Sequence, residues 1–238
     1  MGYTLSDSLA WTSEGTELFL ARLSALSDEQ VAAPIRLEGW TGRHLLAHIS
    51  GNALGLCNLV RWARTGEETP MYVSIEARNA DIEAGALLEV TELRQRAESS
   101  ALTLEAEVAT LSGEQWSTVV RTSQGTDMPA TDIPWLRARE VMIHAVDLDA
   151  SLTMDGLPLS FLRALVDEVV ERRGVLGRGP ALVLRDVADS EGWSIAGDGE
   201  PRELVGSMGS IAGYLVGRGT DGLTTGDGDA VPEIPRWL

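Results

Sequence analysis

The sequence predicts an α+β chain in which a four-helix bundle over residues 1–155 precedes a smaller α/β domain over residues 156–238. Three observations carry this expectation. Long segments of the first part repeat apolar residues at helical spacing. The second part breaks into short apolar runs of strand length, separated by turn residues. Glycine then crowds the end of the chain, in "GRGTDG" and "TTGDGDA".

The elements follow in order. Leu9, Leu18, Leu20, Leu23 and Leu26 place a first helix over residues 6–26. "PIRLEGWT" interrupts the pattern, and Thr41 is a suitable N-cap for a second helix that reaches Arg64. Its apolar stripe runs through Leu45, Leu46, Ile49, Ala53 and Leu56, and Gly66 stands where a left-handed C-cap belongs. A loop then leads to a short helix from Ser74, and a third long helix occupies residues 91–111. "STVVRTSQGTDMPATD" reads as a strand-like excursion around a Gly turn. The fourth long helix begins at Ile133 or Pro134. Four long helices with polar outer faces imply an antiparallel bundle. Beyond the boundary, residues 160–173 are helical, "ALVLRD", "GWSIAGD" and "RELVGS" are strands, and Ser207 caps a last helix.

Composition narrows the function. Hydrophobic residues make up 44% of the 238 and charged residues 23%, as in an ordinary globular domain. No apolar run is long enough to span a membrane, and the N-terminus has no basic-then-apolar signal pattern, so the cytoplasm is expected. The single Cys57 fits that compartment. A net charge of −17, with every basic side chain an arginine, argues against nucleic acid and anionic lipid. The absence of lysine removes Schiff-base chemistry and a P-loop.

Only three histidines are present, and all fall in two helical pairs. His44 and His48 lie one turn apart in "TGRHLLAHISGN"; Glu140 and His144 do so in "REVMIHAVD". At ~100° per residue each pair shares a helix face. Either pair alone has an ordinary reading, as a surface accident or a simple hydrogen bond. Together in one bundle they suggest a metal site built from facing helices. Histidine with carboxylate suits zinc, and two histidines, a glutamate and an open position form a catalytic arrangement. Spacing leaves the choice between His44 and His48 open, although His48 sits deeper in the apolar stripe. Cys57 lies about 180° around that helix from His48 and is expected in the core. Any catalytic thiol must then come from outside the chain.

"LEGWTGRHLLAHISGNA", "TGEETPMYVSIEARN", "REVMIHAVDL", "GRGTDG" and the terminal "PEIPRWL" resemble the mycothiol-dependent maleylpyruvate isomerases nearly end to end. The helical W…H and E…H…D motifs alone are shared by the wider DinB-like superfamily of metal-dependent thiol transferases. "PMYVSIEARN" and "GRGTDG" narrow the likeness to the isomerases. The resemblance implies a DinB-like bundle with a C-terminal α/β domain, a metal triad at His48, Glu140 and His144, and mycothiol as the thiol. It also implies functional arginines at Arg78 and Arg218, which would hold both cofactor and substrate. His44 would then be a neighbour of the metal.

The implied reaction turns maleylpyruvate into fumarylpyruvate, as in gentisate-type aromatic catabolism. A thiolate adds to the alkene, the resulting single bond rotates, and the thiolate leaves. A free thiol is mostly protonated at pH 7, and a metal deprotonates it. The dicarboxylate substrate needs local cations in an acidic protein, and the planar guanidinium of Arg78 or Arg218 suits that role. Asn52, one turn beyond His48, is expected to face the same cavity, and Asp147 to support His144. Trp40 and Trp135 are expected mainly in the core. A monomer is expected, with a small dicarboxylate and a low-molecular-weight thiol as its partners. The competing readings are a mycothiol S-transferase acting on another electrophile and a non-catalytic DinB-like module.

Overall fold

A computed structural model of the chain describes residues 2–188 and 192–235. The chain divides into two compact units, Thr4–Ser151 and Met1–Tyr3 with Leu152–Leu238.

The first unit is a helical bundle. Its long members are α1 (Leu5–Ala25), α3 (Gly42–Thr65), α5 (Val90–Val108) and α6 (Ile133–Leu148), with α2 (Asp28–Ala32) and α4 (Ile75–Gly85) as short additions. Helix α1 packs along α6, and α3 packs along both α5 and α6. Helix α6 is the most enclosed, with Trp135, Ala138, Val141, Met142, Ala145 and Val146 all buried. Residues buried around the whole circumference explain why its sequence reads as a nearly unbroken apolar run. The α1–α6 contact depends on Gly15: a Cβ there would lie 2.7 Å from Val141 Cγ2 and 2.9 Å from Met142 Cγ. Trp11 and Trp135 meet edge to face across the same seam, ring centroids 5.7 Å apart.

Local chemistry sets the helix ends. Thr4 and Asp7 form a reciprocal capping box at the start of α1. Thr41 opens α3, and left-handed Gly66 (φ 76°) closes it, as the sequence predicts. Ser74 caps α4 by accepting from the Ala77 amide at 3.1 Å. Helix α2 is the element that periodicity does not reveal; five residues are too few, yet Ser27 and Gln30 form its capping box. The strand-like excursion is the antiparallel pair β1 (Val119–Arg121) and β2 (Asp127–Pro129).

The second unit carries α7 (Leu159–Leu176), α8 (Met208–Leu215) and a four-stranded sheet. The strands are β3 (Pro180–Asp186), β4 (Gly192–Ile195), β5 (Asp198–Gly206) and β6 (Thr224–Thr225), in the order β4-β3-β5-β6. Only β3 and β5 run parallel. Phe161, Leu165, Leu182, Leu204 and Ile211 are buried in this unit. No helix among the described residues is long and apolar enough to cross a membrane.

Candidate metal centre

Helices α3 and α6 each bury an apolar face, and each carries polar groups into the contact between them. From α3, His48 is 5% exposed; from α6, Glu140 and His144 are half-buried. One nitrogen from each imidazole and one Glu140 oxygen all lie within 4.8 Å of one another. His48 Nε2 is 2.8 Å from Glu140 Oε2, and His144 Nε2 is 3.3 Å from the same oxygen. The two imidazole rings stand nearly perpendicular, centroids 5.0 Å apart. Trp40, expected mainly as a core residue, meets the His48 ring edge to face at 5.6 Å.

The charges in this cluster are mutually dependent. Burial pushes the Glu140 carboxyl up, but the two imidazoles beside it reverse that and hold it well below the ordinary carboxylate range. Burial lowers the His48 imidazole, and the neighbouring His144 and Arg78 add to that; Glu140 opposes the shift without reversing it. For His144, burial is outweighed by the hydrogen bonds it donates to the Asp147 and Glu140 carboxylates and by their charges, and the imidazole is raised. Asp147 is itself 2% exposed and lies 2.8 Å from His144 Nδ1. With Nδ1 engaged by Asp147, Nε2 faces Glu140 and is the nitrogen on offer to a cation. Two imidazole nitrogens and one ionised carboxylate oxygen, braced from behind by a second carboxylate, are a donor set that fits a divalent cation.

The remaining expected site residues fall as follows. Arg78, on α4, lines a cavity of about 250 Å³ together with His48, Gly51, Asn58, Tyr72 and Asp81. Its Nη2 donates to His48 Nδ1 at 3.0 Å. Asn52 does not line that cavity; it is 3% exposed, and its Oδ1 accepts from Arg137 Nη1 at 2.9 Å. Arg218 belongs to the second unit, just past α8 between the left-handed Gly217 and Gly219, where its Nη1 donates to the Val216 carbonyl at 2.8 Å. His44 serves the helix end: its Nδ1 accepts from the Thr41 amide at 3.2 Å, completing the cap of α3. Its Nε2 lies 3.6 Å from Glu83.

Two neighbours carry no sequence signal strong enough to single them out. Arg137, 2% exposed, also donates to the Ile49 carbonyl at 2.9 Å and so ties α6 to α3 beside His48. Its place one turn before Glu140 is the one hint that spacing offers. Tyr72 stands in a loop, where no periodicity marks it.

A four-helix bundle whose facing helices bring together two histidines and a glutamate belongs to the class that builds metal sites between helices. Residues 12–149 match the family described as the mycothiol maleylpyruvate isomerase N-terminal domain. The chain belongs to this family. Its fold is that of a crystallised mycothiol-dependent maleylpyruvate isomerase: 41% identity, a TM-score of 0.94, and coverage of 99% of this chain and 98% of the other. A histidine-to-alanine mutant of that enzyme matches with the same identity, coverage and TM-score. No curated protein matches the chain.

Proposed function

We propose that this chain catalyses the mycothiol-dependent cis–trans isomerisation of maleylpyruvate to fumarylpyruvate, with zinc as the cation held by His48, Glu140 and His144. The observation that carries the reading is the convergence of those three side chains within 4.8 Å, in a chain 41% identical along its length to a crystallised isomerase. When bound, the cation supplies positive charge that keeps a thiol deprotonated at neutral pH.

The chain's own residues account for the rest. Ionised Glu140 offsets part of the cation's charge, which preserves the nucleophilicity of a thiolate nearby. Asp147 orients His144, and Trp40 covers the edge of the His48 ring. Rotation about the substrate's double bond calls for reversible addition of a nucleophile. Cys57 is unsuited to that role: burial pushes its thiol up to about 11, and it sits among Leu56, Val60, Ala63 and Leu104. The sulfur must therefore be supplied by a small thiol. Arg78 lines the cavity beside His48, and the bidentate fit of guanidinium to carboxylate supports its role in holding a substrate carboxylate there. No feature favours an S-transferase or a non-catalytic module.

Product analysis tests this reading. Maleylpyruvate should convert to fumarylpyruvate only with mycothiol present, and the free thiol should be recovered in full. Stoichiometric consumption of the thiol would exclude the isomerase, and conversion without it would exclude the dependence on mycothiol.

A further inference from the structure

Helices α1 and α5 face each other without closing. At one end they are clasped: Arg94 of α5 donates to the Leu26 carbonyl, just past α1, at 2.7 Å and pairs with Asp28 at 3.1 Å. Beyond the clasp the facing side chains include small ones, Thr12, Ser13 and Thr16 on α1 and Ala101 on α5, which leave the space between the helices unfilled. The result is a cavity of about 680 Å³, against about 250 Å³ for the one beside His48. Its size falls in the range of roughly 300–1,000 Å³ usual for small-molecule sites. Its α1 wall runs from Leu9 to Leu20, about 16 Å along the helix.

The lining selects a kind of ligand. The interior is apolar, with Leu9, Leu20, Leu104, Val108 and Ile133. The outer edge carries three exposed carboxylates, Glu17 of α1 and Glu98 and Glu105 of α5. Among the described residues that line the cavity, Arg137 is the one cation, and it is shut away. It is 2% exposed, and its Nη1 donates to the Ile49 carbonyl and to Asn52 Oδ1, each at 2.9 Å. An anion would have to pass the carboxylates of a chain whose net charge is −17. A cation gains from them, provided its charge stays at the edge and its body is apolar.

We propose that the α1–α5 cavity binds an elongated amphipathic amine, its apolar body between the helices and its ammonium at Glu17, Glu98 and Glu105. None of His48, Glu140 and His144 lines this cavity, so the site is separate from the metal centre. The inference does not depend on the isomerase reading.

The probes are octylammonium, 1-octanol and octanoate, which share one chain and differ in the charge of the head group, titrated into the purified full chain by calorimetry. Octylammonium should bind one per chain and raise Tm. Octanol should bind roughly three- to tenfold more weakly, the worth of two or three exposed ion pairs, and octanoate more weakly still. Glu98→Gln combined with Glu105→Gln should weaken octylammonium several-fold and leave octanol within about twofold; added salt should act in the same way. Ala101→Trp, which fills the gap, should abolish binding of all three. Should that protein fail to fold, the paired glutamine variant, altered only at the surface, still decides. His48→Ala should bind octylammonium within about twofold of wild type. No saturable binding of octylammonium, tighter binding of octanoate, or an affinity unmoved by the paired glutamines overturns the proposal. Loss of binding in His48→Ala overturns it too, by putting the amine in the metal cavity.

Discussion

The two halves of α3 are equally buried and chemically opposite. His48, in the first half, is 5% exposed, and Cys57, in the second, is 6% exposed. Around His48 the helix meets Glu140 and Arg78, and one turn on Asn52 meets Arg137. Around Cys57 it meets a continuous apolar cluster that includes Leu56, Leu59, Val60, Leu104, Val120 and Ile133. Exclusion from water is therefore common to both halves. Convergent partners for the polar group distinguish them: they hold the first half as a site, whereas their absence keeps the thiol of the second neutral and inert.

Breaking the first half should have the largest effect. Replacing His48 or His144 with Ala, or Glu140 with Gln, should abolish stoichiometric metal binding, read by elemental analysis. Isomerisation should fall by more than the ~100-fold that a change behind the ligands can cost. His44→Ala, one turn away, should keep its metal and lose only about 1 kcal/mol of stability with the helix cap. If the two histidines behaved alike, the contrast would fail.

The second half should answer in stability and leave the chemistry alone. Leu56 is fully buried in the apolar cluster, and Leu56→Ala should destabilise the fold by about 2–5 kcal/mol in denaturant titration, with one metal still bound per folded chain. Smaller is the expected effect of Asp147→Asn, which keeps the volume and withdraws the charge behind His144. Metal affinity should drop about 10–100-fold by chelator competition.

Cys57 gives the smallest change in activity. With its thiol raised from 9.0 to about 11, the thiolate fraction near pH 8 is about a hundredfold lower than for an unperturbed group. Alkylation by iodoacetamide should be correspondingly slow and should accelerate only as the pH approaches that raised value. The unfolded chain ionises this thiol first, so the contribution of the neutral form to stability is complete below pH 9 and declines above it. Cys57→Ala should leave isomerisation within about twofold of wild type.

Much of this contrast is legible in the sequence, for identifiable reasons. Helical spacing places Glu140 with His144 on one face and sets Cys57 on the side of α3 away from His48. Thr41 and Gly66 mark the ends of that helix by local backbone chemistry. Tyr72 and Arg78 are different. They come to the cavity beside His48 from the loop and short helix after α3, and only tertiary packing brings them there. Asn52 sits one turn from His48 as expected, yet Arg137 claims its side chain, a contact spanning α3 and α6 that no local pattern encodes. Packing across helices, which spacing along α3 does not encode, separates His44 from His48: His48 lies within 4.8 Å of Glu140 and His144, whereas His44 turns its Nδ1 to the Thr41 amide at the helix start.

The most direct test is to titrate metal back into chelated protein and follow mycothiol-dependent conversion of maleylpyruvate against bound metal. Activity should rise in proportion and level off at one ion per chain, while the His48→Ala protein stays inactive at every concentration. Full mycothiol-dependent conversion by the chelated protein, or a His48→Ala protein that recovers with the wild type, would contradict the account.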